Sequence, residues 1–332
     1  MRNRRLSPRS RALLSLLIGA VLLFASGFIG ELRTYQGAQV AVYLIAIASI
    51  ILLTGYSGQI SLGHGAVMAV GGYGAALSFT LWHFPFELAL LFGVLVGAFS
   101  GFVLGVAAAR LSGPYLAGTT LALAVGLPSI ADQFHLLGGE QGLNFDIGDP
   151  PKWVVRLEGS DFTQYKWFFW ISTVVAFIAL WAITNLLHSS YGRNWRAGRN
   201  NPVAAGLAGI NVAKGKVLAF TVSSALASLA GALFALLLGL VTPTAFPLSL
   251  SFAIVTGAVL AGVGNLAGSI VGGVVLVAIP EISGALTTHF GDSQKVSANL
   301  PGLVMSSLLI LVVLFMPNGL RIRRFKSQRK TP

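Results

Sequence analysis

The stretch TGYSGQISLGHG, residues 54–65, sets four glycines, two serines, a glutamine and a histidine between two apolar runs. Gln59, Ser61 and His64 supply hydrogen-bonding groups there, and Gly58 and Gly63 leave room for backbone to approach backbone. A second interruption, TGAVLAGVGNLAGSIVGG at 256–273, repeats the pattern with Gly264 and a lone amide, Asn265. Two chemistries fit such seams. Paired glycine-interrupted segments in the two halves of a chain point to a solute path built from broken helices, with Gly58, Gln59, Ser61, Gly63, His64, Gly264 and Asn265 beside it. The other reading is a pair of tight interhelix turns at a membrane surface. Periodicity alone leaves both open.

Other chemistries have little to stand on. No second His, Asp or Glu lies near His64 in sequence, so it reads as a hydrogen-bonded structural group, and no metal site is expected. Glu281 follows Pro280 inside an apolar run, and an ionisable residue in a membrane helix is a functional candidate, although its place near the end of the run argues against depth. The chain has no cysteine, which excludes disulfides and thiolate chemistry. It contains no GxxxxGK[ST] phosphate loop, no HExxH and no GxSxG. We therefore expect no catalytic residue, no bound cofactor and no ATPase site of its own.

The elements that must position these residues are membrane helices. Of 332 residues, 55% are hydrophobic and 10% charged, against about 25% charged in an average soluble domain; mean hydropathy is +0.79. Without water the backbone must satisfy itself, and the alternation of a membrane barrel is absent, so the fold class is all-α. About ten spans are expected, at 12–30, 38–54, 60–81, 86–109, 114–132, 167–187, 217–241, 248–264, 267–285 and 300–316. With the N-terminus placed inside, 17 of the 22 Lys and Arg fall on the cytoplasmic side. That asymmetry favours an even number of crossings and both termini cytoplasmic. It also explains the +12 net charge without a nucleic-acid partner. The N-terminus has the basic and apolar regions of a signal peptide, but Ala12–Gly30 is longer than the usual ~7–15 residues and reads as a retained helix. One transmembrane domain, 1–332, results, with a basic cytoplasmic N-terminus (1–11), an external loop (133–166), a cytoplasmic loop (188–216) and a basic tail (321–332).

Gly93, Gly97, Gly101 and Gly105 fall every fourth residue, as do Gly264, Gly268 and Gly272, which predicts faces for close helix packing. In the 188–216 loop, Asn201 and Pro202 read as a helix cap and first-turn proline and Gly209 as the stop. The resulting helix of about eight residues, ~12 Å long, is flanked by Arg193, Arg196, Arg199, Lys214 and Lys216. It suits docking into a groove on a cytoplasmic partner, or anchorage at lipid headgroups. The external loop either meets a partner or is inert.

Four patches, in order, resemble the LivM-type permease subunits of bacterial ABC importers for branched-chain amino acids and related solutes. GYSGQISLGHGAVMAVGGYGAAL (55–77) is similar to the family's GxxGQxSLGH segment, and LGGEQGL (137–143) to its external TGGxxGL stretch. YGRNWRAGRNNPVAAGLAGINVAKGKVLAF (191–220) is similar to the ATPase-engaging loop, and LAGVGNLAGSIVGG (260–273) with LFMPNGL (314–320) to the family's endings. The resemblance implies that Gly192, Arg193, Arg196, Arg199, Asn200, Pro202, Ala204, Ala205 and Gly209 couple to an ATPase, and that Gly138, Gly139 and Gly142 meet an external binding protein. It implies a second, H-type permease, two cytoplasmic ATPase subunits that hold the ATP, an extracytoplasmic solute-binding protein, and a bacterial inner membrane. The loop departs from the family's EAAxxxG pattern in having Val203 where the acid stands, Gly198-Arg199 for isoleucine-arginine, and Asn201 for the acid after Asn200. Docking by shape, with arginines facing acids on the ATPase, is then the expectation. The solute, whether branched-chain amino acid, amide or urea, stays open. So does an ion-coupled secondary transporter or channel, which would need no ATPase.

Overall fold

A computed structural model describes residues 30–111, 113–147, 150, 163–262, 264–289 and, between 300 and 314, residues 300, 302–304, 306–308, 310, 311 and 314. The N-terminal segment 1–29, with all but the last residue of the first expected span, and the basic tail 321–332 lie outside the described residues. The last expected span is described only in part.

Helix α1 (Glu31–Ile50) runs on without a break into a π-helical turn, Ile51–Tyr56. It is followed by α2 (His64–Trp82), α3 (Phe86–Arg110) and α4 (Pro114–Gln133). After two short 3-10 turns and strand β1 (Leu143–Asn144) come α5 (Gln164–His188), α6 (Ser190–Asn200), α7 (Pro202–Leu207) and α8 (Val212–Leu238). Strand β2 (Leu240–Val241), α9 (Leu248–Ala261) and α10 (Gly268–His289) complete the described order. Seven helical stretches among the described residues are long and apolar enough to cross a membrane: 31–56, 64–82, 86–110, 114–133, 164–188, 212–238 and 243–261. Gly268–Gly284 adds a shorter apolar one. The chain is thus an all-α, multi-pass membrane protein, and these stretches begin within about seven residues of the spans expected from hydropathy. The one addition is an antiparallel two-residue strand pair, Leu143 opposite Val241 and Asn144 opposite Leu240.

Helix α8 is the hub, packed on α1, α2 and α3. The four-residue glycine spacing of α3 forms its face toward α8. A Cβ on Gly101 would meet the Ser224 side chain and the Phe220 carbonyl, and one on Gly105 would meet the Val217 backbone at 2.9 Å. On the other side of α3, Leu91, Leu95, Phe99 and Val103 are exposed, as lipid-facing residues should be. One stripe of glycine and one of large apolar side chains thus set which face of α3 sees protein and which sees lipid. In α10, Gly272 plays the same part against the Gly257 carbonyl of α9 and Ile47 of α1.

Antiparallel connection places 57–63, 111–113, 189–211 and 262–267 at one end of the bundle. That end holds Arg110, Arg193, Arg196, Arg199, Lys214 and Lys216, whereas every described acid lies in or near the opposite end. Glu281 is among the latter: it is exposed and accepts a hydrogen bond from Gln36 Nε2 of α1, five residues from the start of that helix. No group of three or more potential metal ligands exists among the described residues.

Candidate functional site: the joint at the basic end

The glycine seam at 54–65 lies where α1, α2, α4, α6, α8 and α9 meet. It begins with the π turn, whose wider winding releases carbonyls from the α-helical ladder. Two of these find partners further along the chain. Leu53 O accepts from Gln59 N at 3.2 Å, and Gly55 O accepts from the Arg199 guanidinium of α6. Gln59 is buried and donates to Ser57 Oγ (2.7 Å) and to Lys216 O at the foot of α8 (3.3 Å). Gly58 has φ +74°, and a Cβ there would stand 2.7 Å from Arg199 Cγ. Only glycine fits both the left-handed backbone and the arginine lying across it.

Beyond Gly58 the seam turns inward. Leu62 N donates to Thr120 Oγ1 of α4 (3.0 Å), and Gly65 N to Ser251 Oγ of α9 (2.9 Å). A Cβ on Gly63 would collide with the Thr120 carbonyl. His64 is 2% exposed and sits in a directed chain of hydrogen bonds. Ser223 Oγ uses its proton on Ser49 O (2.8 Å), so it accepts from His64 Nε2–H (3.1 Å). Nδ1 then accepts from Ser61 Oγ (3.2 Å). The chain fixes the Nε2–H tautomer and ties α1, α2 and α8 together. Replacing His64 by leucine removes both bonds and leaves the buried Ser61 hydroxyl without its acceptor, at about 1–3 kcal/mol, so the purified variant should melt below the parent. His64→Gln should keep most of its uptake. Full thermal stability with uptake lost would instead give His64 a part in solute passage.

One short helix is expected in the 188–216 segment, and the structure holds two. Asn201 Oδ1 accepts from Val203 N (3.1 Å) and Ala204 N (3.0 Å), and Pro202 occupies the first turn. Gly209, at φ +81°, ends α7, with its N–H on Gly206 O and Ile210 N–H on Ala205 O, both 3.0 Å. That pair of bonds is a Schellman stop. The missed element is α6, whose local start signal is Ser189, its side chain accepting from Tyr191 N (3.2 Å). Tertiary contacts hold it. Trp195 is buried and donates Nε1–H to Gly215 O of α8 (2.8 Å). Arg196 donates to Gly192 O (3.0 Å) and Leu187 O (2.6 Å) and lies 5.7 Å from the Tyr56 ring centroid. Gly192 allows this return, since a Cβ there would stand 2.6 Å from Leu187 Cα.

The candidate coupling residues consequently divide. Gly192 is buried, and Arg196 and Arg199, though exposed, reach back to carbonyls of α5 and of the π turn, while Arg193 bonds His188 O at the end of α5 (3.1 Å). Asn200 closes α6, and Pro202, Ala204 and Gly209 are exposed. Ala205 is 4% exposed and supports the loop from within. Two residues outside that candidate set, Val203 and Leu207, are 71% and 88% exposed. Their i, i+4 spacing puts them on one face of α7.

The second seam reaches the same end. Tyr56 Oη donates to Gly264 O (3.3 Å), and Asn265 sits in the α9–α10 turn, its N–H on Gly262 O (2.8 Å) and its O accepting from Gly268 N (3.1 Å). The structure thus unites Gly58, Gln59, Ser61, Gly63 and His64 with the turn holding Gly264 and Asn265, but as packed turns and buried hydrogen bonds. None of them lines the large cavity of about 540 Å³ among the described residues. Gly138, Gly139 and Gly142 lie apart, turning the chain from α4 into β1 at the opposite end.

Comparison with known proteins agrees with this architecture. The family model described as branched-chain amino acid transport system, permease component, matches residues 35–315. The chain is 28% identical over 298 residues to the high-affinity branched-chain amino acid transport system permease protein LivM of Salmonella typhimurium, covering 84% of this chain and 67% of that protein. LivM of Escherichia coli K12 matches to the same extent. The permease protein LivH of Salmonella typhimurium is 33% identical over 149 residues, 44% of this chain and 45% of that protein. No solved structure matches. With a family match over most of its length and a multi-pass helical bundle to carry it, the chain belongs to the family of permease components of branched-chain amino acid transport systems.

Proposed function

We propose that the chain is a transmembrane permease subunit of an ABC importer in a bacterial inner membrane. It forms part of the path for branched-chain amino acids or a related small solute and takes its energy from separate subunits. It acts with a second, H-type permease, two cytoplasmic ATPases that bind the ATP, and an extracytoplasmic solute-binding protein that touches the Gly138–Gly142 turn. The whole of 1–332 is one permease domain of ten spans, with both termini and the 188–216 loop cytoplasmic.

One observation carries this reading. Helices α6 and α7 form a small lever at the basic end, fastened to α8 by Trp195 and to the π turn of α1 by Arg199. Its outer surface presents Val203 and Leu207 to a partner. A loop that merely anchored the chain to headgroups would gain nothing from pinning its indole and two guanidinia to membrane-helix carbonyls. The lever moves with a docked ATPase and pulls on α1, α8 and, through Tyr56, the α9–α10 turn. No acid on this surface is needed, consistent with Val203 standing where the family places one.

Leu207→Asp tests the docking face without touching the fold, because the side chain is 88% exposed. Burying a charge in an apolar contact costs more than the ~1.5–3 kcal/mol a leucine gains there, so the ATPases should fail to co-purify and uptake should collapse. Co-purification at parental levels would remove α7 from the interface. Retained uptake in ATP-free proteoliposomes under an ion gradient would overturn the importer reading itself.

A further inference from the structure

No residue of the 54–65 seam lines the cavity of about 540 Å³, and that cavity has the place and chemistry for a solute. It is an open cleft between α1, α9, α10 and the helical residues near 302–306, with a volume of about 540 Å³, and is lined by Tyr43, Ser249, Thr256, Leu276, Pro280 and Ser306 among others. That size falls within the ~300–1,000 Å³ usual for small-molecule sites. It begins at the turn before α9, where Thr244 and Pro247 line it at the acidic end of the bundle. Thr256 is eight residues along α9 from Leu248, which at ~1.5 Å per residue is about 12 Å into the membrane. Tyr43 lies midway along the 31–56 span, near the same depth.

Its lining is selective. None of the described lining residues is charged. Thr256 Oγ1 and Ser306 Oγ spend their protons on Phe252 O (2.8 Å) and Gly302 O (2.9 Å), which leaves their oxygens as acceptors. Leu250, Phe252, Ala253 and Leu276 supply apolar wall. A solute with net charge would find no counter-ion here and would be disfavoured at this depth. A small molecule of no net charge would find acceptors for its N–H groups in Thr256 and Ser306, hydroxyl donors for a carboxylate or carbonyl in Tyr43 and Ser249, and apolar wall for an aliphatic body.

We propose that this cavity, and not the 54–65 seam, is the solute-binding wall of the path on this subunit, open toward the acidic end. Its occupant is a small zwitterionic or neutral solute such as an aliphatic amino acid. The proposal rests on the permease reading above and adds where the solute sits.

The absence of cysteine gives a clean background for a test. Ser249→Cys and Thr256→Cys are made in the full importer in cells, with Leu95→Cys on the lipid face of α3 as control. Each is treated from outside with a charged, membrane-impermeant thiol reagent. The expected result is that the first two react and the third does not, that reaction stops ATP-driven uptake, and that leucine at about ten times its half-saturating concentration slows labelling about tenfold. Reaction of Thr256→Cys only with a lipid-soluble maleimide would make the cavity a lipid groove and overturn the proposal. Reaction in the isolated subunit but not in the complex would make it part of the contact with the second permease, and would overturn it equally. Labelling is read independently of uptake, so loss of ATP dependence in the untreated variants would mark failure of the importer reading alone.

Discussion

Gly231→Leu should leave no folded protein to extract from the membrane, whereas Gly118→Leu should be extracted and melt like the parent. Both are helical glycines in apolar spans, and nothing local in sequence separates them. A Cβ on Gly231 would collide with the backbone of α2 at Met68, whose carbonyl carbon and Cα would stand 2.5 and 2.7 Å away. Around Gly118 nothing among the described residues stands within 4 Å. A flexible side chain could yield to such a clash, but a helix backbone cannot. The α2–α8 contact also depends on Gly71 fitting the Ser228 backbone from the other side. Overpacking usually costs about 1–3 kcal/mol, and separating two helix backbones exceeds that range, against total stabilities of about 5–15 kcal/mol. Size-exclusion profiles and melting curves in mild detergent decide the matter. A normal profile for Gly231→Leu would mean that α2 and α8 are not in backbone contact.

Gly58→Leu should do the reverse, sparing the bundle and disabling the lever. A leucine at φ +74° carries about 1–2 kcal/mol of backbone strain, and its Cβ must also displace Arg199 from Gly55 O. Both effects fall at the end of α1, outside the glycine-packed core, so insertion and extraction should be normal. Uptake should drop about tenfold or more, since a joint misaligned by ~1.4 kcal/mol already shifts its equilibrium by that factor. ATP hydrolysis should persist, because the ATPases still dock through α7. Arg199→Ala should reproduce the defect, and combining it with Gly58→Leu should add little, as the two residues share one contact. Parental uptake by Gly58→Leu would show that the α6–α1 link carries no movement.

Hydropathy, charge asymmetry and cap chemistry were legible in the sequence because each is decided by a residue and its near neighbours. They fixed the membrane as solvent, seven spans with starts within about seven residues, the basic end, and the Asn201-to-Gly209 limits of α7. The same reasoning found that 54–65 and 256–273 belong together, since an interruption in an apolar run is itself a local signal. It could not say why they belong together. Only the tertiary structure showed that Ser61, His64 and Ser223 close a buried chain of hydrogen bonds, because Ser223 lies 159 residues beyond His64. Beyond the Ser189 cap, packing holds α6 through Trp195 on Gly215, and packing turned Ala205 inward while leaving Leu207 outside. The glycines state the division most plainly. Their four-residue spacing announces that some helix will approach closely, but which glycine meets a carbonyl and which meets open space depends on how two helices cross, and crossing is a property of pairs distant in sequence.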